Sequence, residues 1–151
     1  MKILLLILSF TITPLFGVSQ SDVQNIDKRV KEIQDSLAAF KKIEKINSPD
    51  GTRWVYVQKN QLRLISVTAN ESLMVKKVDW YFINGQLAYA ETNWVDNNGK
   101  LVFNEKCYLH NGHLVAWTNS RNAPMDSTSA EYKKMEADLV AYGLSLANER
   151  E

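Results

Sequence analysis

Cysteine and histidine are almost absent from this sequence, and neither sign of charge is in excess. Cys107 is the single cysteine, so a monomer has no intramolecular disulfide and its stability must come from packing. Because Cys107 falls in an apolar run, we interpret it as a small buried side chain rather than a reactive or intermolecular thiol.

The basic and acidic side chains balance. The chain has 18 Lys and Arg against 17 Asp and Glu, and one of the cations is Lys2 at the extreme N-terminus. Nucleic-acid binding depends on neutralising phosphates, so this balance argues against a nucleic-acid partner. It gives no support to docking on an anionic membrane either.

The sequence motifs of the common catalytic sites are missing. There is no Gly-x-Ser-x-Gly, no glycine-rich phosphate loop and no dinucleotide-binding fingerprint. The sequence therefore gives no evidence for an enzyme, identifies no catalytic residue and implies no cofactor. Scattered residues can still assemble a site that no motif reveals.

Residues 1–19 have the pattern of a cleavable signal peptide. Lys2 precedes an apolar stretch at residues 3–12, and small residues precede a cut after Ser19. The apolar stretch is shorter than the ~20 residues that a membrane-spanning helix needs. We therefore expect a periplasmic or extracellular protein with no stable membrane insertion after cleavage.

Residues 20–151 are long enough for one core and are expected to form a single α+β domain. An amphipathic helix is predicted over residues 22–46, because apolar side chains recur at spacings of three and four. They are Val23, Ile26, Val30, Ile33, Leu37, Phe40 and Ile43. This stripe either packs on the chain's own sheet, which we prefer, or joins two copies in a homodimer.

A second amphipathic helix is predicted over residues 128–147, opened by a capping box of Thr128 and Glu131. Between the helices, residues 52–120 are rich in Trp, Tyr, Val and Leu. Three Asn-Gly pairs, beginning at Asn84, Asn98 and Asn111, favour two-residue type I′ hairpin turns. About six antiparallel strands of a β-meander are predicted, at residues 53–58, 62–68, 73–83, 86–96, 100–110 and 113–119.

Two of these hairpins form a repeat. Residues 81–87, Tyr-Phe-Ile-Asn-Gly-Gln-Leu, match residues 108–114, Tyr-Leu-His-Asn-Gly-His-Leu. The match resembles the Tyr/Phe-x-Asn-Gly-x-Leu units of MORN-like repeat proteins and of uncharacterised exported bacterial β-meander proteins. The resemblance covers residues 80–117 and implies a meander, with no activity.

Two-residue turns would set the strand register and divide the side chains between two faces. Counting outward from the turns pairs Trp80 with Tyr89. One face would then carry an aromatic row flanked by opposite charges: Trp80, Tyr89, Tyr108, Trp117, Glu91 and Lys106. The other face, which carries Trp94 opposite Phe103, has small residues at its centre and is assigned to the helices.

The aromatic row has two interpretations. Cross-strand aromatic pairs stabilise long twisted sheets, which is the structural interpretation. In the functional one the row is an exposed platform for an envelope protein or a glycan, because Tyr and Trp combine an apolar ring with a polar tip. On the functional interpretation, the chain is a non-catalytic binding or accessory module of the cell envelope.

The two histidines, His110 and His113, flank the third Asn-Gly turn. Two imidazoles suit Zn²⁺ or Cu²⁺, but a catalytic zinc takes three protein ligands. No third ligand is evident nearby, and Glu91, several residues along the strand, is a possible third group. Two solvated side chains are the simpler interpretation. A metal-dependent or other small hydrolase using His110 and His113 is the alternative function. A self-associating structural protein built on the first helical stripe is a third.

Overall fold

The computed structural model of this chain describes residues 20–46 and 51–148. Within them the fold is α+β, as predicted: a helix, a seven-stranded antiparallel meander in chain order, and a closing helix. The helices are α1 (Gln20–Asp35) and α2 (Ala130–Asn148). The strands are β1 (Lys41–Ile46), β2 (Thr52–Gln58), β3 (Gln61–Glu71), β4 (Met74–Ile83), β5 (Gln86–Asp96), β6 (Leu101–His110) and β7 (His113–Thr118). The inferred signal peptide lies outside the described residues.

The first predicted helix, residues 22–46, is wrong in its second half. α1 ends at Asp35, a short 3₁₀ turn follows at Leu37–Ala39, and Phe40 is already extended. β1 then pairs with β2 along its whole length. Phe40 packs beneath α1, whereas Ile43 packs on the opposite face of the sheet. A three-residue spacing fits one side of a helix and also opposite faces of a strand, and pairing with β2 selects the strand.

The six strands predicted from the turns are all present, each within three residues of its predicted ends. Asn84 and Gly85 both have positive φ, at 52° and 82°, as a type I′ turn requires. Asn111 and Gly112 do the same at 51° and 78°. Lys59-Asn60, which carries no Asn-Gly signal, adopts the same left-handed pair at 48° and 62°.

The middle turn departs from the prediction. The Asp96 carboxylate accepts hydrogen bonds from the backbone N–H groups of Asn98 and Lys100, both at 2.9 Å. The Asp96 N–H donates to the Lys100 carbonyl at 3.0 Å. Asp96 therefore closes a longer loop in which only Gly99 is left-handed, and the predicted two-residue turn at Asn98-Gly99 is wrong.

Three β-bulges lie at one level of the sheet, two residue pairs beyond a turn in each case. Their extra residues are Arg63 in β3, Ala88 in β5 and Val115 in β7. Beyond each bulge the alternation of side chains slips by one residue relative to the neighbouring strand. The predicted pair of Trp80 with Tyr89 is replaced by Trp80 with Ala90.

The helices cover opposite faces of the sheet. The cluster beneath α1 consists of Ile26, Val30, Ile33, Phe40, Leu64, Tyr81, Tyr89 and Tyr108. The cluster beneath α2 consists of Val55, Leu62, Ile65, Trp80, Phe82, Leu87, Ala90, Cys107, Leu109, Leu114, Trp117, Tyr132 and Leu146. The buried residues of the α1 stripe thus pack on the chain's own sheet, which is the interpretation we preferred.

The start of α2 differs by one residue from the predicted capping box. Ser129 Oγ accepts from the Tyr132 backbone N–H at 3.1 Å, so Ser129 is the cap. The predicted cap, Thr128, instead donates its N–H and hydroxyl to the Asp126 carboxylate at 2.9 and 2.8 Å. These two bonds hold the pKa of Asp126 below its ordinary value, because they favour the charged form.

Replacing Gly143 in α2 by alanine is expected to lower the free energy of unfolding. Glycine in a helix interior costs about 1 kcal/mol relative to alanine, so propensity alone favours the change. However, a Cβ at Gly143 would lie 3.0 Å from both Cβ and Cδ2 of buried Leu87, so Leu87 or the helix must shift by a few tenths of an ångström to accommodate it. Urea denaturation of Gly143→Ala measures the outcome. Ala137 is exposed in the same helix, so Ala137→Gly measures the cost of glycine relative to alanine without the packing contact. An increase of about 1 kcal/mol in the free energy of unfolding of Gly143→Ala would contradict the packing argument.

The buried tyrosines are expected to limit stability at alkaline pH. Burial raises the pKa of Tyr81 and Tyr132 to about 12 and raises those of Tyr89 and Tyr108 as well. A folded pKa above the unfolded value of ~10 stabilises the fold below pH ~10, and that stability is lost as pH rises toward 12. The urea midpoint should therefore be flat to about pH 9.5 and then fall. Absorbance at 295 nm would contradict this if all tyrosines ionised near pH 10 in the folded protein.

Candidate functional site

The sheet is too long for one helix to cover a face. α2 crosses the strands, from Tyr132 beside Leu114 of β7 to Tyr142 beside Trp80 of β4, so it covers only its own width of ~10 Å along them. β4, β5 and β6 have 10, 11 and 10 residues, or ~33 Å at ~3.3 Å per residue. α2 lies over the end that carries the Asn-Gly turns at Asn84 and Asn111. There the Tyr132 hydroxyl donates to the Leu114 carbonyl at 3.0 Å. The other end of β4–β6 extends beyond α2 on this face.

The uncovered surface forms a groove against the side of α2, which we call the distal groove. One cavity of about 500 Å³ is lined by Lys76, Val78, Trp80, Ala90, Thr92, Trp94, Phe103, Glu105, Cys107, Met135, Asp138, Leu139 and Tyr142. A second of about 600 Å³ shares Lys76, Val78 and Trp80 and extends toward β3. Together they make an elongated site that is open along its length.

Aromatic side chains form the floor and one wall of the distal groove. The rings of Trp94 and Phe103 are paired across β5 and β6, with centroids 6.0 Å apart. Tyr142 of α2 lies over Trp80 at 5.0 Å and remains 42 % exposed. The Lys76 ammonium lies 5.5 Å above the Trp94 ring, within cation–π range. The site therefore offers partly exposed rings held in place by their neighbours.

Two carboxylates are among the residues that line the groove. Glu105 Oε1 accepts a hydrogen bond from Trp117 Nε1 at 2.9 Å, which orients that carboxylate. Asp138 is exposed on α2 across the cavity from the sheet, and Thr92 adds a half-buried hydroxyl opposite Glu105. An apolar cavity with a few placed polar groups is the usual composition of a small-ligand site.

The predicted aromatic platform is wrong. Trp80, Tyr89, Tyr108 and Trp117 are all at most 9 % exposed. They also lie on different faces, since Trp80 and Trp117 pack under α2 and the two tyrosines under α1. The bulges at Ala88 and Val115 are the cause, because each reverses the alternation on which the predicted row depended.

The predicted charged pair is confirmed in its strand register but not as an ion pair. Glu91 and Lys106 are opposite each other on the sheet, as predicted. Among the described residues, however, they form no ion pair. Glu91 Oε1 instead accepts from Asn104 Nδ2 at 2.8 Å, and Asn104 also donates to Asn93 at 2.7 Å. These residues belong to a polar surface on the α1 face, separate from the distal groove.

The structure does not bring the histidines together at a metal centre. His110 and His113 are paired across the turn, as predicted. His110 Nδ1 lies 3.7 Å from Asp22 of α1, whereas His113 Nδ1 lies 3.3 Å from Glu136 of α2. In residues 20–46 and 51–148 no three His, Cys, Asp or Glu side chains are grouped to hold a metal ion. Glu91, the possible third group, accepts a hydrogen bond from Asn104 further along the sheet.

Cys107 is part of the α2 cluster, as predicted, and is 3 % exposed. Burial raises the pKa of its thiol to about 12, and the nearby Glu105 carboxylate adds to the effect. Both influences disfavour the thiolate, which is the nucleophilic form. The thiol at the floor of the groove is therefore structural.

In the folded protein, Cys107 is expected to be inert to a thiol-specific reagent at pH 8, because it is both buried and protonated. Absorbance after addition of Ellman's reagent should show about one thiol released per chain in 6 M guanidinium and almost none without it. Rapid labelling of the native protein would contradict this assignment and make Cys107 a reactive group.

Comparisons of the chain with protein-family models, curated proteins and solved structures found no match. They neither support nor contradict the MORN-like resemblance. No helix in the described part of the chain is long and apolar enough to cross a membrane. The protein is therefore classified by its fold alone, which is an α+β domain with an antiparallel meander and one helix on each face of the sheet.

Proposed function

We propose that this protein is an exported, non-catalytic binding module that holds a glycan of the cell envelope in its distal groove. The observation that carries the proposal is the partly exposed aromatic surface of Trp94, Phe103 and Tyr142 beside α2. It replaces the row of Trp80, Tyr89, Tyr108 and Trp117 as the proposed binding surface. Export rests on the signal-peptide pattern of residues 1–19.

The size and shape of the groove favour a chain-like ligand of modest width. Its cavities, of about 500 and 600 Å³, fall within the ~300–1,000 Å³ typical of small-ligand sites. A protein partner usually buries ~800 Å² of surface on each side in a broad, flat contact. An elongated groove bounded by one helix and the strands suits a chain of sugars better than a folded partner.

The chemistry of the lining also fits a glycan. Rings with apolar faces and polar tips can contact the C–H face of a sugar while their surroundings supply hydrogen bonds. Glu105, Asp138 and Thr92 are acceptors for sugar hydroxyls at the edges of the aromatic surface. Glu105 is already oriented by Trp117, which lowers the entropy lost on binding.

Replacing Trp94 by alanine is expected to weaken glycan binding at least about tenfold, or ~1.4 kcal/mol, through loss of the main exposed ring. Affinity electrophoresis through gels containing envelope polysaccharides identifies a ligand, and calorimetry with its soluble oligosaccharides measures Kd. The matched control is Trp54→Ala. Trp54 is a half-buried tryptophan of β2 on the other face of the sheet, with Lys42 Nζ 3.6 Å from its ring. Circular dichroism checks that both variants remain folded.

Equal loss of binding in the Trp94 and Trp54 variants would count against the groove as the site. Cross-linking of the tagged protein in its native envelope tests the competing hypothesis that the ligand is a protein. If no polysaccharide retards the protein and a stoichiometric protein partner is cross-linked to groove residues, the ligand is a protein and the glycan proposal fails.

A further inference from the structure

The β-bulge between β2 and β3 sets Arg63 apart from its strand. Tyr56 is opposite Leu64 and Val57 is opposite Leu62, so Arg63 is the extra residue and faces no partner on β2. Its side chain reaches the α1 side of the sheet, where it lines a cavity with residues of α1. Bulges frequently redirect a side chain at a binding site, and here the redirected group is a guanidinium.

Arg63 forms no ion pair within the described part of the chain. It is half-buried, and it takes part in none of the ion pairs found there. Its Nε is inaccessible to solvent and has no hydrogen-bond partner in the protein. A buried N–H is normally hydrogen-bonded, because removing it from water without an acceptor costs free energy. The Nε–H group of Arg63 is therefore a donor that no acceptor in the described part of the chain satisfies.

The cavity beside Arg63 has a volume of about 310 Å³, and it has a polar lining as well. Its polar residues are Arg29, Glu32, Ser36, Gln58, Arg63 and Asn84. Arg29 lies 3.1 Å from the Glu32 carboxylate, so these two charges offset each other. The cavity is left with one net positive charge, that of Arg63, and with amide and hydroxyl groups around it.

We propose that this cavity binds the carboxylate of a singly charged organic ligand, with the Arg63 guanidinium as its main contact. A guanidinium presents parallel N–H donors that match the two oxygens of a carboxylate. One net positive charge complements a monoanion better than a phosphate ester, which carries about −1.5 to −2 at pH 7. This site is on the α1 face and does not depend on the distal groove.

The test is an NMR titration of the intact mature protein, following the side-chain Nε–Hε signals of its arginines. The Arg63 signal is assigned by its disappearance in Arg63→Lys. Sodium acetate is expected to shift that signal saturably, with Kd on the order of 1–10 mM for so small a ligand. Inorganic phosphate and chloride at matched ionic strength should shift it at least about fivefold less per mole.

Two variants separate binding from folding, and acetate binding is followed through backbone amide signals around the cavity. Arg63→Lys keeps the charge but loses the paired donors, and should weaken acetate binding about tenfold. Arg121→Gln, which removes an exposed arginine beyond β7, should leave it unchanged. The proposal is overturned if acetate gives no saturable shift, if phosphate binds as well as acetate, or if the folded Arg63→Lys variant binds acetate normally.

Discussion

The three aligned β-bulges at Arg63, Ala88 and Val115 are the constraint on which the arrangement of this protein depends. Each adds one residue to one strand of a hairpin, at the same distance from its turn. The leucine just before each extra residue, at positions 62, 87 and 114, is buried in the α2 cluster. Because of the bulges, residues that precede them and residues that follow them along the strands both face α2. The tyrosines level with the bulges, Tyr81, Tyr89 and Tyr108, face α1.

Strand length then determines what the helices leave open. Strands of ten or eleven residues exceed the width of one helix about threefold. Both helices pack near the turn-bearing end, and the surface beyond them differs in character between the faces. On the α2 side it is the aromatic distal groove, and on the α1 side it is polar, with Glu91, Asn93 and Asn104 hydrogen-bonded together.

The candidate sites were only partly predictable. The predicted pairing of Trp94 with Phe103 is confirmed, because the extra residue Val102 restores the register that the longer loop at Asn98 shifts by one. The sequence nevertheless assigned both residues to a face covered by helices. Strand length was the available signal that part of that face would stay open. Arg63 carried no signal at all, because a bulge has no strong sequence signature and its effect appears only when two strands are aligned.

The sequence by itself determined the local structure: the left-handed turns at Asn84 and Asn111, the existence of the six strands β2 to β7, and α2. These depend on residues close along the chain, whose backbone preferences act without distant partners. Tertiary structure alone decided the strand at Lys41–Ile46, the bulges, and which aromatic rings are buried. Those outcomes depend on which distant backbone and face each segment meets, and one added residue reverses every side chain beyond it.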